Sequence, residues 1–205
     1  MSNRASLFVI AAPSGAGKTT LVKELLERKP GLRFSISYTT REKRVTEVEA
    51  KDYFFVREAE FQKLQAKGEL LESARVFDNH YGTSRSQVEQ HLGNGHHVIL
   101  EIDWQGAQQV RQSKPDCITI FVLPPSRDEL ARRLRDRRTD NDDVIERRLN
   151  DALGDMSHWS EFDYVIINDD LTLAVTELES VLNGEGEANR VGNESLQARV
   201  EKIIS

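Results

Sequence analysis

The chain holds 205 residues, 38% of them hydrophobic and 30% charged, with a net charge of −6 at pH 7. Such a length fits one domain with insertions better than two independent domains, and the acidic balance, with a pI near 5.5, argues against non-specific binding to DNA or an anionic membrane, both of which reward a basic face. Cys117 is the one cysteine, so an internal disulfide is impossible; the composition fits a reducing cytoplasm, and the thiol reads as a small apolar residue entering a strand.

In chain order, the first apolar run is Leu-Phe-Val-Ile-Ala at residues 7–11. It follows Arg4 but is shorter than the apolar stretch of a secretory signal, and it ends in a glycine loop rather than a cleavage site. The run reads as a strand. Pro13-Ser14-Gly15-Ala16-Gly17-Lys18-Thr19-Thr20 comes directly after it, and residues 18–28 have a helical pattern. Strand, glycine loop and helix in this order are what a phosphate-binding loop requires, because amides at a helix N-terminus must converge on phosphate oxygens. Gly15 and Gly17 free the backbone to turn those amides inward, Lys18 reaches terminal phosphates, and the Thr19 hydroxyl suits Mg²⁺. Ala12 stands where the pattern has its first glycine. Its methyl is harmless at negative φ and strained only in the glycine-only region.

The interval from about 34 to 95 is polar, with weaker strands at 34–38 and 52–56 and a helix at 58–67, and is read as an insertion between core strands. Three further apolar runs, at 98–103, 117–123 and 164–167, are short, β-branched and nearly continuous, the habit of strands buried on both faces of a parallel sheet. Helical segments between them imply an α/β three-layer core. Ser126-Arg-Asp-Glu129 fits a capping box that starts a helix over 126–137. Residues 126–157 are rich in arginine and acids. The tail from Asn183 reads as either a mobile extension or a terminal helix. No internal repeat is present, and no segment approaches the roughly 18 apolar residues that cross a bilayer; the expected location is the cytoplasm.

Ser37-Tyr-Thr-Thr-Arg41-Glu-Lys-Arg44, Glu47 and Asp52-Tyr53-Phe-Phe together resemble the nucleoside-monophosphate-binding segment of guanylate kinases. Glu69-Leu-Leu-Glu72, Tyr81-Gly-Thr83, Glu101-Ile-Asp103-Trp-Gln-Gly106, Pro124-Pro-Ser126 and Asn168-Asp-Asp170 follow in that family's order. The resemblance covers roughly residues 5–182 and is strongest to bacterial members. It implies an α/β three-layer P-loop kinase core with a parallel sheet (residues 1–35, 94–125 and 158–205), an inserted GMP-binding region (36–93) and a mobile helical lid (126–157). It also implies transfer of the γ-phosphoryl group of ATP to GMP with Mg²⁺, with no nucleic-acid or membrane partner.

The chemistry of the residues agrees with the roles that this resemblance implies. Arg41 and Arg44 suit the acceptor phosphate, since guanidinium forks match its oxygens, and Tyr53 and Tyr81 each offer a phenolic donor to it. Glu72 and Asp103 accept only when ionised, which suits the N1–H and N2–H₂ donors of guanine, while Ser37 and Thr83 suit its O6/N7 edge. Glu101 stands where many family members have aspartate near Mg²⁺ waters. Pro13, Ser14, Gly15, Ala16, Gly17, Lys18, Thr19, Thr20 and Asn168 fall to the ATP side, with Thr19 toward the metal. Lys18, Arg133, Arg137 and Arg148 supply charge to the transferring phosphoryl group.

Four positions depart from the family's pattern. Lys43 and Thr46 replace the proline and glycine of Arg-x-Pro-Arg-x-Gly-Glu, Ala50 replaces a usual glycine, and Arg138 stands where the lid commonly has glycine. Two other classes fit parts of the pattern. A catalytically inactive guanylate-kinase-like binding module would not need the intact Gly15-Ala-Gly-Lys18-Thr19, and a sugar-phosphate kinase would not need Glu72 with Ser37 and Thr83.

Overall fold

The computed structural model describes residues 5–76, 78–136 and 142–205. In chain order its elements are β1 (Leu7–Ala11), α1 (Lys18–Arg28), β2 (Arg33–Phe34), β3 (Ser37–Thr39), β4 (Phe54–Phe55), α2 (Glu58–Ala66), β5 (Leu70–Val76) and β6 (Asn79–Ser84). There follow α3 (Arg85–Gly93), β7 (Val98–Glu101), α4 (Trp104–Ser113), β8 (Ile118–Leu123), α5 (Arg127–Asp136), α6 (Asp142–Met156), β9 (Tyr164–Ile167), α7 (Leu171–Leu182) and α8 (Glu194–Ile204). Two compact units divide the chain: Met1–Val9 with Pro30–Ile118, and Ile10–Lys29 with Thr119–Ser205.

In the first unit, β7 lies between β2 and the start of β1, and it pairs with β2 in parallel, Arg33 opposite Val98 and Phe34 opposite Ile99. Val9 and Ile99 are fully buried and Phe8 and Leu100 nearly so; each such side chain contributes roughly 1.5–3 kcal/mol by leaving water. The apolar runs at 7–11 and 98–101 are therefore continuous because neither face of these strands meets solvent.

The polar interval forms a sheet of its own, in the order β4-β3-β6-β5. The expected strand at 34–38 is divided between the two sheets. The Ser35 amide still follows β7, donating to the Ile99 carbonyl at 3.1 Å, but the Ile36 amide turns to Oε1 of Gln87 at 3.0 Å, and β3 starts one residue later. The β5–β6 hairpin and α3 have no counterpart among the sequence expectations. Polar residues such as Glu72 and Thr83 sit on the buried side of the hairpin, which hides the alternation that marks a half-buried strand.

In the second unit, β8 lies between the end of β1 and β9, with Ile120 to Leu123 parallel to Tyr164 to Ile167. α1 packs on α7, with Leu21, Leu25, Val175 and Leu178 fully buried. The tail is a terminal helix: Asn193 caps α8 by accepting the Leu196 amide at 3.1 Å, and Leu196, Val200 and Ile203 are buried. Ser126 accepts the Glu129 amide at 3.1 Å, half of the expected capping box. The other half is diverted, because the Glu129 carboxylate binds Arg132 and Arg133.

Backbone conformation separates the two alanines that stand in for glycines. Among the described residues Ala50 is the one non-glycine at positive φ, 59°, inside an exposed loop where its amide donates to the Tyr53 carbonyl at 2.9 Å. Ala12 is not at positive φ. The left-handed region costs a residue with a Cβ roughly 1–2 kcal/mol, and glycine costs roughly 0.5–1 kcal/mol in unfolded-chain freedom. Ala50→Gly is therefore expected to raise stability by up to about 1 kcal/mol, and Ala12→Gly to lower it by a similar amount, in urea unfolding of the two variants beside the wild type.

Candidate active site

The second unit carries the phosphate loop. Its first turn is closed by the Ala16 amide donating to the Pro13 carbonyl at 3.2 Å. Gly15 (φ 91°) and Gly17 (φ 88°) both occupy glycine territory, and both are also sterically constrained. A Cβ on Gly15 would meet Leu130 of α5 at 2.9 Å, and one on Gly17 would collide with the Asn168 side chain. Gly17 is the N-cap of α1 and offers no side chain to it, which leaves the first-turn amides uncapped from that residue. Lys18 is partly exposed and Thr19 and Thr20 are exposed on this turn. Ser14 is partly exposed and Pro13 buried.

Two of the expected site residues meet on the Ala16 carbonyl. Asn168, 5% exposed, donates to it from Nδ2 at 2.8 Å. Arg133 donates to it from Nη1 at 3.3 Å and to the Asn168 carbonyl from Nη2 at 3.0 Å, while its Nε holds Glu129 at 2.7 Å. The C=O and N–H of one peptide unit point in opposite directions, so fixing the Ala16 carbonyl fixes the direction of the Gly17 amide. The hydrogen bonds from Arg132 and Arg133 pull the Glu129 carboxyl down to about 2, so it stays charged as their anchor. Arg148 lies on α6, partly buried. Arg137, and with it the Arg138 departure, lies outside the described residues.

The first unit carries the acceptor-side candidates. Ser37 of β3 is paired with Thr83 of β6, and Thr83 with Glu72 of β5, so three polar residues form one row across three strands. They are 8%, 0% and 4% exposed. Thr83 Oγ1 donates to Glu72 Oε1 at 2.7 Å. Asp103, expected to end a strand, is the N-cap of α4 and accepts the Gly106 amide at 2.6 Å. A Cβ on Gly106 would lie 2.7 Å from Glu72 Oε2 and 3.1 Å from Asp103 Oδ1, so both carboxylates converge on the space that this glycine leaves.

Two residues along β6, Tyr81 faces the basic cluster. Arg41 binds Glu47 at 2.6 Å, donates to the Glu42 carbonyl at 2.7 Å and lies over the rings of Tyr53 and Phe55, 5.6 and 5.8 Å from their centroids. Burial pulls the Arg41 guanidinium down, but hydrogen bonds to Glu47 and Tyr81 outweigh it and hold the group above its ordinary value. Burial, reinforced by the Glu101 carboxylate, pushes the Tyr53 phenol up to about 12; it remains a hydrogen-bond donor. Arg44 is more exposed. Its amide donates to Glu47 Oε2 at 2.8 Å and its guanidinium is 3.8 Å from Oε1. Lys43 and Thr46, the two departures in this turn, are exposed, and the turn closes without proline or glycine through the Glu47 amide on the Arg44 carbonyl at 3.1 Å.

Glu47 was visible in the sequence only as part of the motif, without a role. One signal was available: a carboxylate three residues after one arginine and six after another, at the end of a turn. Gly106 likewise stood in the motif with no role, since steric room leaves no mark in a single sequence.

A parallel α/β sheet with a glycine loop between its first strand and first helix defines a P-loop nucleotide-binding fold. The crystal structure of guanylate kinase from Anaplasma phagocytophilum matches this chain with a TM-score of 0.76 at 32% identity, covering 98% of this chain and 96% of that one. A guanylate kinase family model matches residues 4–185, and the chain belongs to the guanylate kinase family. It is similar to the guanylate kinase of Methylococcus capsulatus, 52% identical over 176 residues that cover 86% of each chain. It is also similar to that of Sodalis glossinidius, 46% identical over 204 residues that cover 98% of each. Among the described residues, no helix is long and apolar enough to cross a membrane.

The Arg41–Glu47 pair has a defined pH signature. Burial raises the Glu47 carboxyl, but its bonds from Arg41 and the Arg44 backbone prevail and lower it below 4.5. A depressed folded-state pKa gives stability that is present above the unfolded value and lost as pH falls through the folded one. Glu47→Gln is therefore expected to be less stable than wild type at neutral pH, with the difference shrinking as the solution is acidified below the ordinary carboxylate range. Urea titrations of both proteins across that range measure it; a constant difference would mean the carboxylate charge is not what holds Arg41.

Proposed function

We propose that the protein is a guanylate kinase in activity as well as in family, transferring the γ-phosphoryl group of ATP to GMP to give ADP and GDP. A phosphate oxygen of GMP attacks the γ-phosphorus, and the bond from that phosphorus to the β–γ bridging oxygen breaks. The observation that carries this reading is the buried row of Ser37, Thr83 and Glu72 with Asp103 beside it. A sugar phosphate has no use for a buried carboxylate, a second, partly buried one beside it and two hydroxyls arranged in this way, whereas guanine has two adjacent donors for the carboxylates and an acceptor edge for the hydroxyls.

Arg41, Arg44, Tyr53 and Tyr81 take the GMP phosphate. Residues 13–20, anchored by Asn168 and Arg133, take the phosphates of ATP. Lys18, Arg133, Arg137 and Arg148 offset the charge that spreads over the transferring group, with residues 126–157 as the lid and 36–93 as the acceptor-binding insertion. Mg²⁺, when bound with ATP, would draw charge from the phosphate oxygens, held by the Thr19 hydroxyl and by waters that Glu101 can orient. Among the described residues no group of three or more His, Cys, Asp or Glu is placed to hold a metal, which accords with a cation held largely by phosphates and water. The single free thiol, which is buried, accords with a cytoplasmic enzyme.

A coupled assay with GMP, AMP, dGMP and a sugar phosphate as acceptors tests the reading, with the two guanine nucleotides expected to be used and the others not. Lys18→Met should lose turnover by on the order of 10²-fold or more with the fold retained, since charge stabilisation at the transferring phosphate goes with it.

For the base, sites built on such hydrogen bonds discriminate by roughly 10⁴-fold. Adenine presents an acceptor, N1, where guanine presents a donor. Glu72→Gln turns one acceptor into a donor, so it should lower kcat/KM for GMP sharply and narrow the GMP/AMP ratio at saturating ATP. An unchanged ratio would remove Glu72 from the role of base reader.

A further inference from the structure

β5 is the last strand in the order β4-β3-β6-β5, so among the described residues no strand pairs with its backbone on its outer side. At Ser73, the residue after Glu72, one side chain fills that place. The Ser73 amide donates to Gln109 Oε1 at 3.0 Å, and Gln109 Nε2 donates to the Ser73 carbonyl at 2.8 Å. A carboxamide carries the same donor and acceptor as a peptide group, so Gln109 does here what a neighbouring strand would do.

The location gives this pairing its consequence. The register of β5 against β6 shifts between Leu70 and Glu72, and such an irregularity bends a strand and re-aims the side chain that follows. A further slip of one residue would turn Glu72 to the opposite face. Gln109 pins the backbone immediately beyond the shift. It stands three residues after Gly106, on the same side of α4, and Asp103 is the N-cap of that helix. One helix thus supplies the Asp103 carboxylate, the space into which Glu72 Oε2 fits, and the bonds that hold the Glu72 strand in register.

We propose that Gln109 is a positioning residue for base selection, acting through Ser73 to set where the Glu72 carboxylate stands relative to Asp103. This rests on the reading of the acceptor as GMP.

Two variants test it: Gln109→Leu, which removes both bonds at similar volume, and Gln109→Glu, which keeps the acceptor and sets a carboxylate against the Ser73 carbonyl. Gln112→Leu, at an exposed position farther along the same helix, is the control. The measurements are KM and kcat for GMP, AMP and ATP, and amide hydrogen exchange at Ser73. Because small misplacements of a reading group are costly, both variants should raise KM for GMP about tenfold or more and lower the GMP/AMP ratio of kcat/KM correspondingly, leaving KM for ATP within about twofold. Exchange at Ser73 should accelerate in Gln109→Leu, and the control should match the wild type in every reading.

Folded variants with a wild-type GMP/AMP ratio overturn the proposal, as does failure of both variants to fold, which would assign Gln109 to folding alone. A wild type that does not prefer GMP would instead refute the proposed activity, and accelerated Ser73 exchange would still report the clamp separately.

Discussion

A carboxylate buried to 4% exposure is the constraint around which the acceptor side is built. Taking such a group out of water is costly unless donors meet its oxygens, and the sheet supplies one in the Thr83 hydroxyl at 2.7 Å. The other oxygen stands near Asp103 across Gly106. A ligand that brings two adjacent N–H donors into this space would meet an acceptor from each carboxylate. The hairpin geometry follows from this need. Glu72 has to face Thr83 on β6 and α4 on its outer side, and the register shift before it gives that aim.

The opposite charge is kept apart along the same strand. Tyr81 and Thr83 are two residues apart on β6, hence on one face and roughly 7 Å apart along it. Thr83 belongs to the carboxylate end and Tyr81 to the cluster of Arg41, Arg44 and Tyr53. One sheet face therefore runs from acceptors to cations, which matches an elongated molecule with donors at one end and an anion at the other. Glu47 keeps the cationic end ordered by binding Arg41 at 2.6 Å and so limiting its rotamer freedom before any anion arrives. On the second unit Asn168 and Arg133 act comparably on the Ala16 carbonyl, ordering a backbone amide rather than a side chain.

What a single sequence can disclose divides along physical lines. β1, α1 and β9 were legible to the residue because burial on both faces leaves an unbroken apolar run, and a glycine loop marks where strand passes to helix. The β5–β6 hairpin was not legible, since its buried face carries Glu72 and Thr83, and a pattern that equates polar with exposed reads such a strand as loop. The candidate site residues were named from their types and order. Their holders were less legible: Glu47 left only its short spacing from Arg41 and Arg44, while Gln109 and the Asn168 grip on Ala16 depend on contacts between residues 36 and 152 positions apart, which no local spacing reports.

Glycines show the same division at single positions. Gly15 and Gly17 are needed twice, for positive φ and for room beside α5 and Asn168. Gly106 is not among the positive-φ glycines, so room for the Glu72 and Asp103 carboxylates is what the structure asks of it. Ala12 and Ala50 both replace a glycine of the family pattern, yet they differ physically. The phosphate loop accepts alanine at position 12 because its backbone there stays out of the left-handed region, and the strain falls instead at Ala50, in an exposed loop between Glu47 and Tyr53. There a methyl group meets solvent rather than a carboxylate or a phosphate loop. The cost is therefore confined to the backbone of one residue, at a point where it does not displace Arg41, Glu47 or Tyr53 from one another.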